Sequence, residues 1–296
     1  MTAQIASATP SATKRGINRY RVLHWFWRSV ILVAVAGGSI IFILPFVWMV
    51  STSFKASEEV LRFPPVWIPQ TLRWDNYLEP WGRLPFGTYY KNTLTVVGLN
   101  LVGTLLSSSL VAYGFARLRF RGRNLLFLIL LSTMMLPSQV TLVPTYYLFA
   151  KLGWVNSLRP LIVPVYFGSA FNIFLLRQFA MTVPLELDDA AKIDGCGFFA
   201  TYWRIILPLL KPALGVIAIF QFTYDWNDFF GPLIYINSPK HFTIALGLRT
   251  LQSTILYVPM QHIMAMTLVA MLPVLAVFVV AQRKFIQGIV ITGVKG

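Results

Sequence analysis

The stretch Pro184–Leu185–Glu186–Leu187–Asp188–Asp189–Ala190–Ala191–Lys192–Ile193–Asp194–Gly195 holds five charged residues, four of them acids. Its chemistry is that of a short helix. Proline suits a first helical turn. Glu186, Asp188 and Asp189 sit early, where carboxylates favour the positive end of the helix dipole, and Lys192 sits late. Gly195 is able to adopt the left-handed conformation that ends a helix. Leu187, Ala190, Ala191 and Asp194 fall at three- and four-residue spacing and share a face. A second helix over about 197–206 carries Phe198, Phe199, Tyr202, Trp203 and Ile206, and Leu207–Pro208 follow it. The two alanines leave room for another surface to approach closely. Such a knob suits docking into a cleft of a soluble partner, or lying as an amphipathic element on a membrane.

A second polar group is Tyr224–Asp225–Trp226–Asn227–Asp228. Aromatic faces beside hydrogen-bonding side chains suit a sugar. A polar interface with another helical subunit, or the membrane boundary, is the favoured reading, because aromatic residues collect at that depth in any case. No Gly-x-x-x-x-Gly-Lys-Ser/Thr phosphate loop is present, nor a His-Glu-x-x-His or Gly-x-Ser-x-Gly motif. His24, His241 and His262 are scattered, and one cysteine cannot build a disulfide framework or a cysteine-based metal site. The chain is therefore expected to be non-catalytic, with no metal site and no cofactor of its own.

The elements that must position these residues are written in the gaps between charges. Of the 296 residues, 56% are hydrophobic, 15% aromatic and only 12% charged, with a mean hydropathy of +0.66. Soluble chains carry about 25% charged residues. Long charge-free stretches separate Arg28 from Lys55, Lys91 from Arg117, Arg123 from Lys151 and Arg249 from Arg283. Each holds the roughly 20 apolar residues that a bilayer crossing needs. A fifth candidate has only Arg159 at its edge, able to snorkel, and a sixth contains Asp225 and Asp228. The reading is an all-α, polytopic membrane protein with six transmembrane helices, at about 29–52, 92–115, 124–148, 158–178, 209–234 and 260–282. Between the fourth and fifth lies a helix-turn-helix loop over about 182–208.

Most of the 25 lysines and arginines fall in 1–28, 117–123, 177–211 and 283–296. The positive-inside rule makes that side cytoplasmic, with both ends inside. Residues 1–28 are then a cytoplasmic segment, with a Ser-, Thr- and Ala-rich disordered start over 1–13. Residues 29–282 are the membrane domain, and 283–296 a cytoplasmic tail. The formal charge of +15 is explained by this topology and by anionic lipid headgroups rather than by nucleic acid. The outer loop 53–91, with Trp67, Trp74, Trp81 and five prolines, reads as an interfacial cap.

The loop resembles the "EAA" loop of permease subunits of binding-protein-dependent ABC importers. That pattern is Glu-Ala-Ala, three residues, Gly, nine residues, Ile, one residue, Leu-Pro. Asp189–Ala190–Ala191, Gly195, Ile205 and Leu207–Pro208 fall at those spacings, with Asp189 in place of glutamate. Ser51–Thr52–Ser53–Phe54–Lys55, Ala112–Tyr113–Gly114–Phe115–Ala116–Arg117, Trp226–Asn227–Asp228 and the tail from Gln282 to Gly296 are similar to the carbohydrate-importer subfamily, in particular its maltose-type second permease. The resemblance implies a bacterial inner-membrane subunit that forms half of a path for a sugar or oligosaccharide. It implies coupling through Glu186, Asp189, Ala190, Ala191, Asp194, Gly195, Leu207 and Pro208 to ATPase subunits that carry ATP and Mg. It also implies a second homologous permease and an external solute-binding protein. A phosphorylated polyol such as glycerol phosphate is an alternative cargo. A proton-coupled secondary transporter, with Asp225 and Asp228 as relay, is the competing mechanism.

Overall fold

The computed structural model describes residues 15–251 and 258–293, and among these every regular element is a helix. Four helical stretches are long and apolar enough to cross a bilayer: Tyr20–Ser53, Phe86–Arg117, Arg159–Thr182 and Met260–Gln282. Two more candidates reach span length only through a bend, of 98° between Arg123–Met135 and Ser138–Lys151, and of 75° between Phe198–Leu209 and Lys211–Asn227. With each bent pair taken as one span, the described residues hold six.

Proline explains the first bend. A residue before proline is pushed out of the helical region, and Leu136, before Pro137, sits at φ −80°, ψ 118°. The third span, expected as one helix over 124–148, is therefore broken in its middle. The fifth, expected over 209–234, is also corrected: its helix ends at Asn227, Asp228 turns extended at φ −65°, ψ 110°, and Phe230–Tyr235 forms a separate short helix. The first helix starts at Arg15, ahead of the expected 29, and the last runs to Gly293, so helix continues past 282 into the expected tail. Residues 1–14 and 294–296 lie outside the described residues.

Six helices frame the fold and its polar groups: α1 (Arg15–Ser53), α2 (Phe86–Arg117), α3 (Ala170–Thr182), α4 (Glu186–Ile193), α5 (Lys211–Asn227) and α6 (Met260–Gly293). Helix α2 is the centre. It packs against α3 and α5, and its buried face runs through Tyr89, Thr93, Val96, Asn100, Gly103, Thr104, Ser108, Ala112 and Tyr113. Small and polar side chains dominate that face because lipid is as apolar as leucine. Close packing and hydrogen bonds, not water exclusion, bring such helices together. Around it lie three apolar clusters: Phe86, Tyr89, Trp226 and Met266 near the start of α2; Ala112, Ile173, Leu176 and Ile217 lower down; and Tyr113, Ala180, Tyr202, Ile206 and Leu210 at its end.

Beyond the far end of α1, residues 54–84 fold back as a cap. The Asn76 amide donates to the Ser53 and Lys55 carbonyls, both at 2.9 Å, and the Ser53 and Tyr77 hydroxyls share a hydrogen bond of 2.7 Å. The Ser51 hydroxyl donates to the Trp67 carbonyl. Lys55 is fully buried with its Nζ 3.6 Å from the Trp48 ring centre. Burial draws its ammonium below the usual lysine range, and the Glu59 carboxylate opposes that shift. The Gln261 amide donates to the Ser57 hydroxyl at 2.6 Å, tying the cap to α6.

Close approach at Gly103 gives a test of this packing. A Cβ there would meet the Tyr166 ring at 2.8 Å, whereas one at Gly98 would meet nothing within 4 Å. Gly103→Leu should destabilise the purified protein by about 1–3 kcal/mol, the usual cost of overpacking, while Gly98→Leu leaves its thermal midpoint unchanged. Thermal unfolding in detergent checks the pair.

Candidate functional site

Helix α4 stands off the membrane helices as a short knob. Its end is a complete Schellman motif: the Cys196 N–H donates to the Ala191 carbonyl at 2.8 Å, and the Gly195 N–H to the Lys192 carbonyl at 3.0 Å. Gly195 takes φ +77°, the left-handed conformation this closure requires. Glu186, Asp189, Ala190, Asp194 and Gly195 are exposed on the knob, and Ile193 at its tip is 87% exposed. Ala191, by contrast, is 2% exposed and faces the body of the protein. Leu207 and Pro208 are not on the knob. They lie where the second helix, Phe198–Thr201, has passed through a widened turn over Tyr202–Ile206. Pro208 accounts for the widening, since it has no N–H to offer the carbonyl four residues back. The Asp189–Lys192 pair, at 3.0 Å, is open to solvent and adds little stability.

What holds the knob was not singled out by the sequence. Asp188, the middle acid of the run, points inward to the last residue of α2. Its Oδ2 lies 3.3 Å from Arg117 Nη1, and the two side chains are only 10% and 3% exposed. Arg117 Nη2 also donates to the Val183 carbonyl at 2.6 Å. One turn back on α2, the Tyr113 hydroxyl donates to the Phe198 carbonyl at 3.1 Å. A further turn back, the Ser109 and Tyr202 hydroxyls share a hydrogen bond of 2.8 Å. The readable signals were Asp188 and Ala191 at i and i+3, and Ser109, Tyr113 and Arg117 at i, i+4 and i+8. Beside the ion pair a cavity of about 660 Å³ opens between the knob and the turn after α2, lined by Arg119, Phe120, Asp189, Lys192 and Cys196 among others.

The polar group of α5 divides into two. Asp225 and Trp226 are buried, at 7% and 3% exposure. Asp225 accepts from the Asn100 amide of α2 at 3.1 Å and from the Gln221 amide at 2.9 Å. Asn100 also donates to the Leu161 carbonyl. The Trp226 Nε1–H donates to the Ala270 carbonyl of α6 at 3.0 Å. Both residues knit helices together. Asp228 does not share a helix face with Asp225: it lies past the end of α5, and its Oδ1 accepts from the Gly231 N–H at 3.0 Å. Tyr224 and Asn227 point the other way and are exposed, in line with Phe220 and Thr223. No group of three or more His, Cys, Asp or Glu side chains able to hold a metal occurs among the described residues.

Residues 103–291 match the family described as binding-protein-dependent transport system inner membrane component. The chain belongs to that family. The matched region takes in the knob, Ser109, Tyr113, Arg117 and all of α5. The permease is 37% identical over 257 residues to a putative ABC transporter permease protein of Caldicellulosiruptor sp., covering 86% of this chain and 92% of that one. It is 32% identical over 282 residues to the arabinooligosaccharides transport system permease protein AraQ of Halalkalibacterium halodurans, covering 93% and 98%. Its fold is that of a chain in the crystal structure of a bacterial ABC transporter involved in the import of the acidic polysaccharide alginate, with a TM-score of 0.80, 20% identity, and 93% and 99% of the two chains covered.

The division of α5 predicts opposite behaviour for its neighbours. Trp226→Phe removes one buried hydrogen bond and should lower stability by about 1 kcal/mol. Tyr224→Ala and Asn227→Ala, on the exposed face, should leave the thermal midpoint unaltered. Unfolding curves of the three purified variants distinguish them.

Proposed function

We propose that this permease forms half of the translocation path for a sugar or oligosaccharide and is driven by ATP hydrolysed on separate subunits. The observation that carries this is the knob of α4. It is a rigid, capped helix that exposes Asp189, Ala190 and Asp194 with an apolar tip at Ile193, and it is braced from behind by a buried ion pair. A helix built this way suits docking in a cleft. Ala191 then serves as packing beneath the docking face rather than on it. Leu207 and Pro208 lie just before the 75° bend between Leu209 and Lys211 that returns the chain to the membrane. ATP and Mg reside on the ATPase pair, and this chain binds neither. A second homologous permease and an external solute-binding protein complete the assembly, with both termini of this chain cytoplasmic in the bacterial inner membrane.

The exposed face of Phe220, Thr223, Tyr224 and Asn227 suits either a sugar path or the partner permease. Aromatic rings cover the apolar faces of a sugar while the hydroxyl and amide groups hydrogen-bond to it. The buried Asp225 serves the helix interior, held by Asn100 and Gln221, and Asp228 lies past the end of α5; both favour the ATP-driven reading over a paired acid relay.

Reconstitution in proteoliposomes with the second permease, the ATPase and the binding protein tests the reading. Labelled oligosaccharide should enter only with ATP, and a protonophore should not stop it. Uptake driven by a proton gradient without ATP would refute it, and uptake confined to glycerol phosphate would reassign the cargo. Gly195→Val forces a β-branched residue into a left-handed position, at a cost of about 1–2 kcal/mol. ATP hydrolysis should persist in this variant while uptake falls on the order of tenfold. Normal uptake would contradict the role of the knob.

A further inference from the structure

We propose that Ser109, Tyr113 and Arg117 form the handle by which the knob moves the membrane helices, so that the second span, α2, and not the covalently attached spans, receives the stroke. This rests on the reading that the knob meets an ATPase. The knob is joined through the chain to α3 on one side and α5 on the other. Neither connection is a continuous helix: Val183 is extended between α3 and α4, and the second helix reaches α5 through a widened turn and a 75° bend.

The rigid attachment is lateral. Three side chains, four residues apart on one stripe of α2, each grip a different part of the loop. Arg117 holds its start at Val183 and the knob itself at Asp188. Tyr113 holds the head of the second helix at Phe198. Ser109 holds Tyr202, which is 2% exposed. The Tyr113 and Tyr202 rings also pack with centroids 5.4 Å apart.

An ion pair this buried is costly to break at one end only, so the knob and the end of α2 move together. The same helix carries the motion onward. Asn100 grips Asp225 of α5 and the Leu161 carbonyl. At the far end, Asn92 donates to the Lys240 and Phe242 carbonyls at 2.9 and 3.0 Å, and Thr93 accepts from the Ile244 N–H at 2.8 Å. One helix of 32 residues, about 48 Å long, thus links the knob to the opposite mouth.

The test uses the complete importer in proteoliposomes, with ATP hydrolysis, solute uptake and ATPase co-purification measured on the same preparations. In Arg117→Gln and in Asp188→Asn, solute taken up per ATP should fall on the order of tenfold, the range of a typical coupling energy. The ATPase should still co-purify. The double variant should be no worse than the poorer single, because both remove one contact. Arg117→Lys, which keeps the charge, should recover most of the ratio. Tyr113→Phe, which removes one hydroxyl and leaves the packing in place, should give a smaller fall. An unchanged ratio in Arg117→Gln and Tyr113→Phe would overturn the proposal. So would joint loss of ATPase co-purification and uptake, since that marks a docking or folding role. A wild-type complex that transports without ATP would instead defeat the functional reading itself.

Discussion

Helices in a bilayer have no water to escape, so the arrangement of this protein depends on polar side chains placed where only other helices can satisfy them. Helix α2 supplies most of them along its length. Asn92, Asn100, Ser109, Tyr113 and Arg117 each tie it to a different segment. Where the bond is buried, as at Asn100 and Ser109, a deletion of one partner leaves the other unsatisfied with no replacement at hand. Helix α1 illustrates the contrast. Its most apolar stretch is wholly unburied within the chain, as suits a surface facing lipid or another subunit.

The knob follows a different logic. Outside the membrane, a helix of 8 residues is too short to persist by propensity alone. It is held by its Schellman closure at Gly195, by carboxylates in its first turn and by the buried Arg117–Asp188 pair. The outward side of the helix is thereby free to be chemically bland. It carries small residues and a few charges. Rigidity is supplied from behind, and under the proposed docking recognition is left to the front.

The spans were legible in the sequence because charge is so expensive in lipid that its absence marks them. Their breaks were less so. Pro137 splits one expected span while Pro45 and Pro273 lie inside unbroken helices, and a single chain does not say which freed carbonyls a neighbour will satisfy. The knob was legible too, since Pro184, the early acids and Gly195 are local signals. Asp188 and Arg117 were not. Each was visible, one as part of an acidic run and the other as a topological anchor, but their pairing joins residues 71 positions apart and has no local signature. Likewise, Asp225 looked like a partner of Asp228 because the helix was expected to continue. The chain turned at Asp228, and Asp225 found Asn100 instead.

The account stands on the front of the knob meeting a nucleotide-hydrolysing subunit. Its most direct measurement is thiol cross-linking in the assembled importer, with the native Cys196 replaced by serine and a single cysteine placed at position 190. A covalent adduct between this permease and the ATPase subunit, formed in membranes and lost when that subunit is omitted, is the predicted result. Exclusive labelling of position 190 by a lipid-soluble maleimide, with no adduct to the ATPase, would contradict it.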